Sequence, residues 1–184
     1  MKKFELTGKF VTNIFGKKLF RIRALVAFGD VEAGELGGYV EKEENLSDDG
    51  DAWVSGDAQV FGDARVSGDA RVFGNAWVSG DAQVFGDARV SGNAWVSGDA
   101  QVFGDARVSG NADILQITGL GTVHRTTTVF RTPDGIRIAC GCFYGNLYEF
   151  REQVKKTREG KVQREYLKFA DLVEIYFGED KKDE

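Results

Sequence analysis

The sequence predicts a mainly β chain whose middle is a parallel β-solenoid with three hexads to each coil. Three observations carry that prediction. From Asp51 the chain repeats every six residues as DAWVSG DAQVFG DARVSG DARVFG NAWVSG and onward to Gly110. Val recurs at 54, 60, 66, 72, 78, 84, 90, 96, 102 and 108, with Ala always two places earlier and Ile114 next in phase. Residues 75–92 and 93–110 are one identical unit of three hexads, NAWVSGDAQVFGDARVSG, and 51–68 differs from it only by Asp51 in place of Asn. A repeat of this kind outranks any local reading of secondary structure.

The hexad dictates its own geometry. Residues i and i+2 of a strand share a face, so Ala and Val point inward together. The residue between them (Trp, Gln or Arg) and the one after (Ser or Phe) point outward. Gly-Asp or Gly-Asn supplies the corner, since these residues tolerate the backbone of tight turns. A helix is excluded, because a period of six scatters Val round a 3.6-residue wheel and Gly recurs throughout.

Stacking every third hexad fixes the outer columns. One reads Trp53, Arg71, Arg89, Arg107; the next Gln59, Trp77, Trp95, Asp113; the third Arg65, Gln83, Gln101. The hexad Asp69–Gly74 is extra between the first and second three-hexad units, and it moves Trp77 and Trp95 one face away from Trp53. The corner before the first column is all aspartate (51, 69, 87, 105), and stacked like charges repel. An Arg two residues past each of Asp69, Asp87 and Asp105 is placed to offset them. The corner before the second column is Asp57, Asn75, Asn93, Asn111, whose amides can bond along the stack.

Residues 1–50 are read as an N-terminal β cap, with short strands such as LFRIRALVAF (19–28) and the run GELGGYVEKEENLS leading into the hexads at 51–115. A solenoid needs such a cap over its first coil. Residues 116–184 form the C-terminal α+β module, of ββαα order. TVHRTTTVFRT (122–132), a turn at Pro133-Asp134-Gly135 and IRIACGCF (136–143) make a hairpin. Asn146 with Glu149 is an N-cap pair opening a helix that presents Leu147, Phe150 and Val154. A second helix runs from about Arg164 to Phe177 with Leu167, Ala170, Val173 and Phe177 inward, and the tail EDKKDE is expected to fray.

Val-x-Gly-Asp-Ala-x, ten times over, resembles the bacterial hexapeptide-repeat family, and the resemblance implies a left-handed parallel β-helix of three hexads per triangular coil. GELGGYVEKEENLS, RTPDGI and CGCFYG are similar to segments of phage- and prophage-encoded members. The resemblance therefore implies a phage-type protein acting in the host cytoplasm.

Composition narrows the function. The net charge is −5, and most of the acidity lies in 51–112, which holds 4 Lys/Arg against 8 Asp/Glu. Nonspecific nucleic-acid binding needs a basic surface and is not expected. Two cysteines suit a reducing cytoplasm, and no run approaches the about 20 apolar residues of a membrane span. No cofactor is expected.

Hexapeptide proteins are often acyltransferases with a histidine as general base, and the solenoid-derived carbonic anhydrases need three zinc-binding histidines. The sole histidine, His124, lies beyond the last hexad in the hairpin, so no enzyme is expected. Cys140 and Cys142 read either as a metal half-site or redox pair, or as a small buried pair facing the helices. Asp63, Asp81 and Asp99 are corner residues or a calcium ladder. Trp53, Trp77, Trp95, Phe85, Phe103 and the arginines Arg71, Arg89 and Arg107 form either an interaction strip or mutual stacking between coils. Arg125, Thr126, Thr127, Thr128, Arg131 and Tyr144 give the C-terminal module a cationic side for a nucleotide or other anion, or else a solvated face. The expectation is a non-enzymatic binding or structural protein, homo-oligomeric, with a host or phage protein as partner. Its rivals are a counter-defence protein that sequesters a nucleotide signal or blocks a host protein, a self-assembling fibre, and an acyltransferase.

Overall fold

The computed structural model describes residues 2–178; the tail 179–184, expected to fray, lies outside the described residues. The chain forms two units, residues 1–111 and 112–184.

Each hexad makes one two-residue strand. In order these are β4 (Trp53–Val54), β5 (Gln59–Val60), β6 (Arg65–Val66), β7 (Arg71–Val72), β8 (Trp77–Val78), β9 (Gln83–Val84), β10 (Arg89–Val90), β11 (Trp95–Val96), β12 (Gln101–Val102) and β13 (Arg107–Val108), preceded by β1 (Phe4–Thr12), β2 (Lys18–Ala24) and β3 (Leu36–Val40). The parallel pairings join every third hexad on three faces: β4-β7-β10-β13, β5-β8-β11 and β6-β9-β12. Trp77 therefore lies against Gln59 and Trp95, while Trp53 lies against Arg71 on another face, as the extra hexad requires.

The interior is what Ala-x-Val dictates. All ten repeat valines and their alanines are at most 1% exposed. The ladder is regular, with Trp53 N–H donating to Ala70 O at 3.0 Å, Arg71 to Ala88 at 2.8 Å and Arg89 to Ala106 at 2.9 Å. A corner glycine between stacked coils is required: Gly80 has φ of +68°, and a Cβ there would stand 2.9 Å from Gly98 N.

In this ladder each coil donates N–H groups to the carbonyls of the next, so the first coil presents unpaired carbonyls. Residues 1–50 occupy them individually. Tyr39 N–H donates to Ala58 O at 2.9 Å, Glu41 to Val60 at 3.0 Å and Ser47 to Val66 at 2.9 Å. The amide of Asn45, fully buried, donates to Gly62 O at 3.0 Å and Ala64 O at 2.8 Å. The Lys3 ammonium, also buried, donates to Gly50 O at 3.0 Å and Ala52 O at 2.9 Å. The cap is thus a partial coil of its own, out of step with the hexad period (Tyr39 on Gln59, Leu46 on Val66) and joined to the antiparallel β1-β2-β3 meander. Gly37 lets β3 close down, since a Cβ there would stand 2.6 Å from Val54 O and 2.7 Å from the Trp53 ring.

The second unit comprises β14 (Ile114–Leu120), β15 (Arg125–Thr132), β16 (Gly135–Cys140), β17 (Phe143–Gly145), α1 (Leu147–Thr157) and α2 (Gly160–Phe177). The four strands form an antiparallel sheet in chain order, two strands more than the ββαα reading. Ile114, in phase with the repeat, begins β14 and pairs with Phe130 instead of adding a coil. Asp113, placed by phase in the Trp column, sits in a 3-10 turn and pairs with Arg131. The hairpin turn at Pro133-Asp134 and the reciprocal Asn146–Glu149 cap at 2.8 and 2.9 Å are as read. The helix faces meet the sheet through Val129, Ile138, Phe150, Val154, Tyr166, Phe169, Ala170, Val173 and Phe177. Leu167 is only half-buried; α2 begins earlier, at Gly160, and Tyr166 and Phe169 take the deeper places.

Candidate functional site

The aromatic face of the coils is built by the N-terminal hairpin as well as by the repeat. The turn between β1 and β2 lays Phe15 against Phe61, Trp77 and Trp95, with ring centroids 5.8, 6.1 and 6.1 Å away. Trp77 and Trp95 meet edge to face at 5.8 Å, and Phe61 joins Trp77 at 6.2 Å. Trp95 is 44% exposed, Phe15 52% and Ile14 78%, so an apolar strip reaches solvent here. Trp95 is held in place by its indole N–H on Ser79 Oγ at 3.2 Å and its backbone N–H on Asn111 Oδ1 at 2.8 Å. The asparagine corner bonds along the stack, Asn75 Nδ2 to Asn93 Oδ1 at 3.4 Å. Phe85 and Phe103, half-buried, stack in parallel at 4.8 Å between coils.

Trp53 departs from the outward-strip reading. It is buried beneath the cap, edge to face with Phe28 at 5.4 Å, and its indole nitrogen meets no acceptor among the described residues. The repeat places it outward, but the 24–40 segment folds over that one face. The neighbouring arginines also differ from expectation. Arg71 turns to Asp30 of the cap, and Arg107 donates to the backbone oxygens of Asp87, Asp105 and Ala106 at 3.1–3.3 Å. Among the described residues neither pairs with the aspartate carboxylates of its own face. One of those acids is met by the backbone instead, Asp69 Oδ1 accepting from Asp51 N–H at 3.0 Å. Arg89 is exposed and lines the open charged groove between these columns.

In the second unit a cavity of about 790 Å³ opens between the sheet and the helices. Phe143, Phe150, Val154 and Val162 supply its apolar lining, and Arg125, Arg158, Glu159, Tyr144, Gln153 and Thr157 its polar one. Arg125, at the start of β15, lies across Gly141, which has φ of +62° and no side chain to obstruct it. The buried Tyr166 hydroxyl reaches Leu120 O only at 3.5 Å and Cys140 Sγ at 4.0 Å. Burial pushes that hydroxyl above its ordinary value, Cys140 adds to the rise, and Arg158 and Arg125 oppose it. The turn before α2 supplies Arg158 and Glu159, and no side chain caps that helix.

The cationic side inferred from the sequence is thereby divided. Arg125 and Tyr144 line the cavity, whereas Arg131 pairs with Asp113 at 3.2 Å and lies over Phe177. Thr127 and Thr128 are buried in the sheet, Thr127 donating to Cys140 Sγ at 3.1 Å. The cysteines part as well: Cys140 packs on the helical core, while Cys142 lies past the strand end and is exposed. Position 158 carries no signal in the sequence, because its value comes from the interhelix turn reaching back to β15. His124 is exposed in a turn, with φ of 49° and Nδ1 3.1 Å from Gly119 O. Asp63 pairs with Lys42, and Asp81 and Asp99 are exposed. Among the described residues no group of three or more His, Cys, Asp or Glu side chains is placed to hold a metal ion. None of the described helices is long and apolar enough to cross a membrane.

Coils of three hexads closed by a dedicated cap define a β-solenoid repeat protein. A family model, the YdcK beta solenoid repeat, matches residues 58–70, 64–80, 82–98 and 100–113, all within the hexads and the turn that follows them. Comparison with curated proteins returns no match.

Proposed function

We propose that this is a non-enzymatic binding or structural protein of phage or prophage type, acting in the cytoplasm of the host cell. The coils serve as a rigid platform, and the terminal segments carry recognition or assembly. The observation that carries this reading is the exposed strip of Phe15, Trp77 and Trp95, aromatic side chains held in fixed register and partly open to water. Ordered exposed aromatics are the surface that protein partners use, because they bury large area at low entropic cost. The test is capture from host extract with the wild type and with Trp95→Ser side by side, read by mass spectrometry. A partner retained by the first and lost by the second is expected; identical captures overturn the assignment of the strip. Size-exclusion chromatography with light scattering measures the homo-oligomer that this reading includes.

The cavity beside Arg125 favours a second reading, a counter-defence protein that sequesters a nucleotide signal. Nucleotide absorbing in the ultraviolet that co-purifies with the wild type and is lost from Arg125→Gln supports it.

A further inference from the structure

We propose that the cavity of the second unit binds a small organic anion with an apolar ring body, its charged end held by Arg125 and Arg158. This deepens the nucleotide reading by naming the ligand's chemistry, and it rests on that reading.

The volume of about 790 Å³ falls within the range of about 300–1,000 Å³ typical of small-molecule sites. Such sites combine an apolar body with a few convergent polar groups, and this one does the same. Phe143, Phe150, Val154 and Val162 would desolvate a ring, and the two guanidiniums stand on the same lining. Two arginines of this unit, Arg131 and Arg151, are neutralised by carboxylates. Arg131 has Asp113, and Arg151 has both Asp171 at 3.0 Å and Glu174 at 2.7 Å. Arg125 and Arg158 form no ion pair with a carboxylate among the described residues, and the Arg158 guanidinium donates to Thr157 O at 3.3 Å. Glu159 shares the lining, so the local balance is a single positive charge, which suits one carboxylate or phosphate. A guanidinium binds either group through two parallel hydrogen bonds. The Tyr166 hydroxyl, whose bond to Leu120 O is long, is a further donor at the wall.

Isothermal titration of the full chain with phenyl phosphate, benzoate and adenosine monophosphate tests the site and separates the anion sources. Saturable binding of phenyl phosphate or benzoate is expected, weakened about tenfold or more in both Arg125→Gln and Arg158→Gln. Arg137→Gln, whose guanidinium bonds its own strand at Ile136 O, should bind as the wild type does. Val162→Trp should abolish binding by filling the cavity, with far-UV circular dichroism confirming that each variant folds. No saturable binding of either simple anion, or affinities unchanged in both arginine variants, overturns the proposal. If the simple anions bind and adenosine monophosphate does not, the site stands and the nucleotide reading falls. If only the nucleotide binds, and Arg125→Gln abolishes that binding, the nucleotide reading stands and the simple-anion proposal falls.

Discussion

Replacing Val90 by aspartate tests the inward assignment that the whole solenoid depends on. Val90 shows no exposure and lies between Val72 and Val108 in the β7-β10-β13 ladder. Losing the valine forfeits about 1.5–3 kcal/mol of burial. The new carboxyl, with only Ala and Val around it, is forced to stay protonated. At pH 7, about three units above its ordinary value of about 3.9, that adds about 4 kcal/mol. The sum, about 6 kcal/mol, is comparable with the about 5–15 kcal/mol that holds a domain together. The control is Gln83→Asp on the outer face beside Arg65 and Gln101, where the change should stay within about 0.5 kcal/mol. Urea unfolding followed by tryptophan emission is the assay, because Trp53, Trp77 and Trp95 all sit in the coils and report on them alone. The buried acid's folded pKa is raised, so the Val90→Asp deficit should shrink as pH falls toward about 4. Equal urea midpoints for the two variants would refute the assignment.

Deleting residues 69–74 should preserve the fold and bring all three tryptophans into one column. The cost is the contact of Phe15 with Trp77 and Trp95, and a crystal structure of the variant decides it. Lys3→Met takes the ammonium from the buried Ala52 carbonyl and the exposed Gly50 carbonyl and should cost about 1–3 kcal/mol in the same urea assay. Burial holds the Lys3 ammonium below its ordinary range, so the unfolded chain binds that proton more tightly. The Lys3 contribution, taken as wild type minus Lys3→Met, should therefore rise as pH climbs toward 10.5. Asn146→Ala removes one half of the α1 capping box and should cost about 1 kcal/mol, read from tyrosine near-UV circular dichroism on heating.

The columns are legible because the repeat is nearly perfect and its identical units at 75–92 and 93–110 are three hexads long. The cap's own coil is not, because Tyr39, Val40 and Leu46 stack out of step with the hexads and carry no Ala-x-Val phrase. Trp53 shows the limit of periodicity: the hexad states which way a side chain leaves its strand, and a distant segment bearing Phe28 decides whether it meets water. In the second unit the hairpin and the cap box are local signals and can be read directly. The cavity depends on a turn between helices meeting the start of a strand, and no spacing encodes that. Arg125 can be named from the sequence and Arg158 cannot. Arg131 joins the cationic side by its place in the hairpin, and its pairing with Asp113, 18 residues earlier, carries no signal of its own.

The identical units at 75–92 and 93–110 give this protein a way to change by indexing. Slipped replication across such a tract adds or removes whole hexads, and each hexad arrives with its own inward Ala and Val and its own glycine corner. A change of three hexads alters height by one coil, about 4.8 Å, and leaves every outer column aligned. A change of one hexad advances everything downstream by one face of the prism. That single step carries a tryptophan from beneath the cap to the open strip, or an arginine into its place. The hexad 69–74 records one such step, and the buried Trp53 and the exposed Trp95 are its two settings.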